Sequence, residues 1–179
     1  MSNSKIIAAV RSRDELLKAV SSNVKIVFHL SPDILTLKED VKLMHQAQKK
    51  LFIHIDLAEG IGKDKSGVRF VKLLGVDGII TTRSNIIKYA REYDIIALQR
   101  FFIIDSQSIS TTVETLKSSK ATMIEIMPGN NVKAVQRLRE KIDIPIIAGG
   151  LIDTQDEAKA VIKVGATAVS TGARDLWDI

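Results

Sequence analysis

The chain has 179 residues, 45% of them hydrophobic and none of them cysteine, which predicts one globular domain over residues 1–179 that buries roughly 70% of its unfolded surface. Disulfides and thiolate metal sites are excluded, and no apolar run approaches the ~20 residues of a membrane helix, so the expectation is a soluble, cytoplasmic protein without a membrane partner. The net charge of +5 permits anion or nucleic-acid binding, while an aromatic content of 4% argues against a base-stacking platform.

Short apolar runs alternate with helical patterns along the chain. The expected strands are 5–10, 24–30, 51–56, 77–82, 98–105, 122–127, 143–148 and 167–171. Most are continuous β-branched or apolar runs, as parallel strands covered on both faces require. Between them, Ser12 with Glu15 and Thr154 with Glu157 have capping-box spacing ahead of apolar helical stretches. Gly75 and Gly165 stand where helices should stop. They also open two similar stretches, GVDGIITT and GATAVSTG, half a chain apart. Eight strand–helix units with a half-chain echo predict a compact (β/α)8 TIM-type barrel. The fold usually takes about 250 residues, so one helix is expected to be missing or distorted.

In such barrels function gathers at the C-terminal strand ends, and the last two loops commonly hold phosphate. Here they read AGGLI and STGARDLW. Gly149 and Gly150 let main-chain N–H groups approach an anion, Ser170 and Thr171 add hydroxyl donors, and Gly172 continues the second loop. Residues 173–176 are expected to form a short helix facing the same point. Tight turns are the plain alternative for these glycines. Glu125, flanked by apolar residues, needs a partner: either Arg100 within strand five or the hydroxyls of a ligand. Asp56 ends strand three and is either a turn residue or a second hydroxyl acceptor.

His54 and Asp56 alternate, which places them on the same face of strand three, and His29 ends strand two. Together they raise a metal site, but a core role for the histidines is the stronger reading and no metal is assigned. No lysine ends a strand, which disfavours Schiff-base chemistry, and no cofactor is implied. The basic residues read as helical groups, among them Lys49 with Lys50. Lys63, Lys65 and Arg83 follow strands three and four, where they would meet an anion or RNA.

At these residues the sequence resembles the glycerol-3-phosphate-responsive antiterminators, regulators of bacterial glycerol uptake operons. The stretches that carry the resemblance are HIDLAEGIGKDKSG, GIITTRSNII, LQRFFIIDS, IEIMPG, IPIIAGGLI and AVSTGARDLW, between residues 54 and 177. The resemblance implies a non-catalytic barrel that binds glycerol 3-phosphate as effector and contacts leader mRNA. Asp56 and Glu125 match the family's acidic positions and Arg83 its arginine, which implies contacts to the glycerol part. Gly172 departs from the serine–asparagine pair expected in the last loop. The RNA-contacting residues and any homo-oligomer are not read from the sequence. A small sugar-phosphate isomerase or epimerase, using the same phosphate loops with His54 and Asp56, is the competing expectation.

Overall fold

The structure is a computed structural model, and it describes residues 5–179. Eight parallel strands close into a barrel in chain order: β1 (Ile6–Val10), β2 (Ile26–His29), β3 (Lys50–His54), β4 (Gly78–Thr81), β5 (Ile96–Phe102), β6 (Met123–Met127), β7 (Ile146–Gly149) and β8 (Ala168–Thr171). The seven helices between them are α1 (Arg13–Ser21), α2 (Leu37–Gln46), α3 (Lys65–Leu73), α4 (Ser84–Glu92), α5 (Ser106–Ser119), α6 (Val132–Arg139) and α7 (Gln155–Lys163). Where an eighth would stand, the chain makes only a 3₁₀ turn, Arg174–Leu176. The compact barrel with a reduced last helix is therefore what the chain forms.

The apolar residues of each strand divide between two cores, as side-chain alternation requires. Outward residues such as Val10, Val27, Ile53, Ile79, Ile124 and Val169 pack beneath the helices. Inward residues Ile7, Phe28, Phe52, Ile80, Leu98 and Ile147 fill the barrel's lower interior. The rings of Phe28 and Phe52 stand 5.5 Å apart there. They leave no room beside Gly78, where an added Cβ would come within 2.3 Å of the Phe52 ring.

The helix ends follow their local chemistry. Thr154 and Glu157 form a reciprocal capping box on α7. At α1, Ser12 accepts from the Glu15 N–H, but the Glu15 carboxylate bonds the Arg11 N–H instead of completing the box. Gly75 and Gly165 follow α3 and α7 with φ of 86° and 117°, left-handed positions that favour glycine. Lys49 and Lys50, grouped as helical in the sequence reading, instead lie beyond α2: Lys49 precedes β3 and Lys50 opens it. The buried Lys49 ammonium donates to the carbonyls of Ser22 and Val24. Among the described residues, no helix is long and apolar enough to cross a membrane.

A cavity at the C-terminal rim

Two adjacent loops meet at the C-terminal rim between β7 and β8. Gly149 ends β7 against the Glu125 and Ser170 side chains, where a Cβ would fall 2.4 Å from Glu125 Oε1 and 2.6 Å from Ser170 Oγ. The chain then turns through two left-handed residues, Gly150 at φ 76° and Leu151 at φ 57°. The Gly129 N–H donates to the Gly150 carbonyl at 2.9 Å and holds the loop from the β6 side. Across from it, Gly172 leaves β8. Among the described residues, the main-chain N–H groups of Gly150, Leu151 and Gly172 meet no hydrogen-bond acceptor. All three residues line one cavity of about 330 Å³.

The inner wall of that cavity is polar and buried. Arg100 on β5 and Glu125 on β6 are register partners, both on the inward face above Leu98 and Met123. Arg100 Nε donates to Glu125 Oε2 at 2.6 Å, and the Ser170 hydroxyl donates to Glu125 Oε1 at 2.6 Å. Only 8% of the Arg100 side chain and 2% of the Glu125 side chain reach solvent. His54, also inward on β3, sits in the field of Arg100. Burial lowers its pKa to about 4, with help from the Arg100 charge and against the pull of Asp56. The imidazole is therefore neutral at pH 7. At the outer rim the cavity is bounded by Arg11, Glu15 and Asp153.

Gly150, Glu125, Ser170, Thr171 and Gly172 line the cavity, while Gly149 supports it from behind. The hydroxyls have work within the protein. Ser170 is bound to Glu125, and Thr171 Oγ1 donates to the Ile152 carbonyl at 2.6 Å while accepting from the Ala173 N–H at 2.9 Å. That last bond engages an amide at the start of the 3₁₀ turn. The Trp177 indole N–H donates to the Thr171 carbonyl and pins the tail over β8.

Asp56 and Arg83 stand together, away from the walls of this cavity. β3 stops at His54, and Asp56 lies in a 3₁₀ turn, Ile55–Leu57, so the alternation that would align the two residues does not extend to it. The Asp56 carboxylate accepts from the Thr81 hydroxyl, the Thr82 N–H and the Thr82 hydroxyl at 2.7–2.9 Å. Burial opposes its ionisation, but these bonds outweigh burial and hold the carboxyl below its ordinary pKa. A carboxylate held in this way is a weak base. Arg83 Nε lies 3.9 Å from Asp56 Oδ1, with half of its side chain exposed. His29 turns to the opposite side of the barrel wall, near the buried Asp40 of α2. Among the described residues, no three histidine or acidic side chains gather as a metal site. Lys63 folds back onto the carbonyls of Ala58 and Ile61, and Lys65 pairs with Glu92 at 2.6 Å.

Sequence reasoning treated Arg100 only as a possible partner for Glu125 and overlooked it as a cavity wall. The signal was available: a cation two residues after Leu98 shares that leucine's inward face. Arg11 and Leu151 carried no comparable signal, because loop geometry alone brings them to the rim.

The chain is thus a short (β/α)8 barrel with unpaired loop amides and a buried cation around one rim cavity. The chain belongs to the glycerol-3-phosphate responsive antiterminator family, which it matches over residues 6–177. It is similar to the glycerol uptake operon antiterminator regulatory protein of Listeria monocytogenes, with 34% identity, a TM-score of 0.92 and coverage of 99% of this chain and 96% of that one. A glycerol uptake operon antiterminator-related protein of Thermotoga maritima superposes with a TM-score of 0.87 at 32% identity, covering 97% of this chain and 98% of that one. An uncharacterized protein, YgcP of Escherichia coli K12, is 35% identical over 97% of this chain and 92% of its own length.

Proposed function

We propose that the protein is a ligand-gated regulator: it binds glycerol 3-phosphate in the rim cavity, and occupancy changes its affinity for a leader mRNA. The observation that carries the ligand half is the convergence of the unpaired Gly150, Leu151 and Gly172 N–H groups on one cavity. Unpaired main-chain donors beside glycines form a ready anion site, because no Cβ blocks the approach. The phosphate rests on these amides, with Gly149, Ser170 and Thr171 holding the two loops in place. The RNA half rests on family membership and on the chain's net charge of +5. Asp56 and Arg83, paired beside β4, tie the loop after β3 to the loop after β4 in this reading. The chain acts without a cofactor and without catalysis. Among the described residues, no lysine lines the cavity, and its buried carboxylate, Glu125, is engaged by Arg100 and Ser170.

Calorimetry with glycerol 3-phosphate and with glycerol tests the ligand. Binding of the phosphate ester alone is expected, and equal or absent binding of the two would overturn the reading. Linkage requires that RNA and ligand alter one another's affinity by the same factor, so a gel shift with leader RNA is expected to respond to glycerol 3-phosphate.

A further inference from the structure

The unpaired amides account for the anionic end of a ligand but leave the inner wall unexplained. That wall is a buried ion pair. Glu125 Oε2 takes the Arg100 Nε–H at 2.6 Å and Oε1 takes the Ser170 hydroxyl, so the carboxylate is fixed at both oxygens. Among the described residues, the two Nη groups of Arg100 have no acceptor, and Arg100 is more than nine-tenths buried in the cavity wall. The cavity therefore meets its guest with planar guanidinium donors whose charge is already balanced by a carboxylate within hydrogen-bonding distance.

We propose that Arg100 contacts the non-phosphate end of the ligand, and that Glu125, acting through it, makes this end select a neutral hydroxyl over a carboxylate. The proposal rests on the phosphate reading above. A hydroxyl oxygen accepts from Arg100 Nη at little desolvation cost. A ligand carboxylate gains the same donors but must shed its water and face Glu125, so the pair offers it no net attraction. His54 lies within the field of Arg100 and, being neutral, adds no compensating cation. At the outer rim Arg11 and Asp153 oppose one another in charge, and Glu15 is paired with Arg174 at 3.6 Å, so the rim does not reverse the balance. Glu125 is thus a positioning residue, and Arg100 reads the ligand.

Glu125→Gln separates charge from shape. Its amide oxygen still accepts from Arg100 Nε, and the Ser170 hydroxyl can turn to accept from the new NH₂. The guanidinium charge is then unbalanced. Calorimetry with inorganic phosphate, glycerol 3-phosphate and 3-phosphoglycerate tests the idea on wild type, E125Q and R100Q. Wild type is expected to bind glycerol 3-phosphate at least tenfold tighter than 3-phosphoglycerate. E125Q is expected to shift that ratio at least tenfold toward the carboxylate ligand. R100Q is expected to bind glycerol 3-phosphate no better than inorganic phosphate. A wild-type protein that binds 3-phosphoglycerate equally or better overturns the proposal, whether or not the variants fold. So does an unchanged ratio in E125Q whose circular dichroism matches wild type. If wild type binds none of the three, the phosphate reading fails and this proposal with it; if all three bind without the expected preference, only the selectivity fails.

Discussion

Gly149 shows how one missing side chain holds the cavity together. Glu125 Oε1 and Ser170 Oγ occupy the space its Cβ would need. Gly149→Ala must push the carboxylate off Arg100 or displace β7. A loss of about 1–3 kcal/mol is expected in urea denaturation, as for other overpacked cores, together with weaker glycerol 3-phosphate binding. His54 sets a second residue-scale behaviour. Its folded pKa of about 4 lies below the ordinary 6.5, chiefly through burial, and burial lowers that of His29 as well. The unfolded chain therefore takes these protons first. The stability that neutral histidine contributes is intact above pH 6.5 and is lost as pH falls toward 4. For His54 the loss is about 3 kcal/mol. Urea midpoints measured from pH 7 to pH 4 are expected to fall, and to fall less in His54→Gln. Asp56, held below its ordinary pKa, adds a loss only at still lower pH.

At the scale of elements, short helices depend on their ends. α7 has nine residues, and its first turn is closed by Thr154 and Glu157 in both directions. Thr154→Ala is expected to cost about 1 kcal/mol in chemical denaturation and to speed amide exchange in the first turn of α7. The final element inverts the usual arrangement. In place of an eighth helix, a single 3₁₀ turn covers β8, and the buried Trp177 fastens it through the Thr171 carbonyl. The tail continues to Asp178, which accepts from the Asn23 N–H at 2.8 Å. Trp177→Ala removes both the packing and the clasp, and a loss of about 3–5 kcal/mol is expected in the same measurement. The loop beneath the turn carries the cavity's Gly172, so ligand affinity should fall as well.

For the whole molecule, a ligand that bridges the β7 and β8 loops to Arg100 on β5 ties together strands that are not neighbours in the barrel. Such a ligand stabilises the closed barrel by mass action. At 100 times its dissociation constant, glycerol 3-phosphate is expected to add about 2.7 kcal/mol. That corresponds to roughly 5–10 °C in the melting temperature of a chain of this size, read by thermal shift, with glycerol giving no change. Of the cations that follow β3, Lys63 is engaged by the Ala58 and Ile61 carbonyls and Lys65 by Glu92.

Local pattern determined much of this protein by itself. Buried β-branched runs spaced by capped helices dictate eight parallel units. Paired glycines at the end of β7, facing a serine–threonine–glycine loop at β8, mark the rim where the cavity opens. These signals are legible because each depends on residues a few positions apart. The pairing of polar groups was decided only by the tertiary structure. Arg100 meets Glu125 across 25 residues because β5 and β6 pair in register, and Ser170 meets Glu125 across 45 because β8 turns it inward, one strand beyond β7. The adjacency of β7 with β8 and of β3 with β4 gave the Thr171 hydroxyl to the Ile152 carbonyl and the Asp56 carboxylate to Thr81 and Thr82. Composition and alternation state which side chains turn inward. Which donor each buried acceptor takes depends on strand order, register and the curvature of loops, and these are properties of the folded chain.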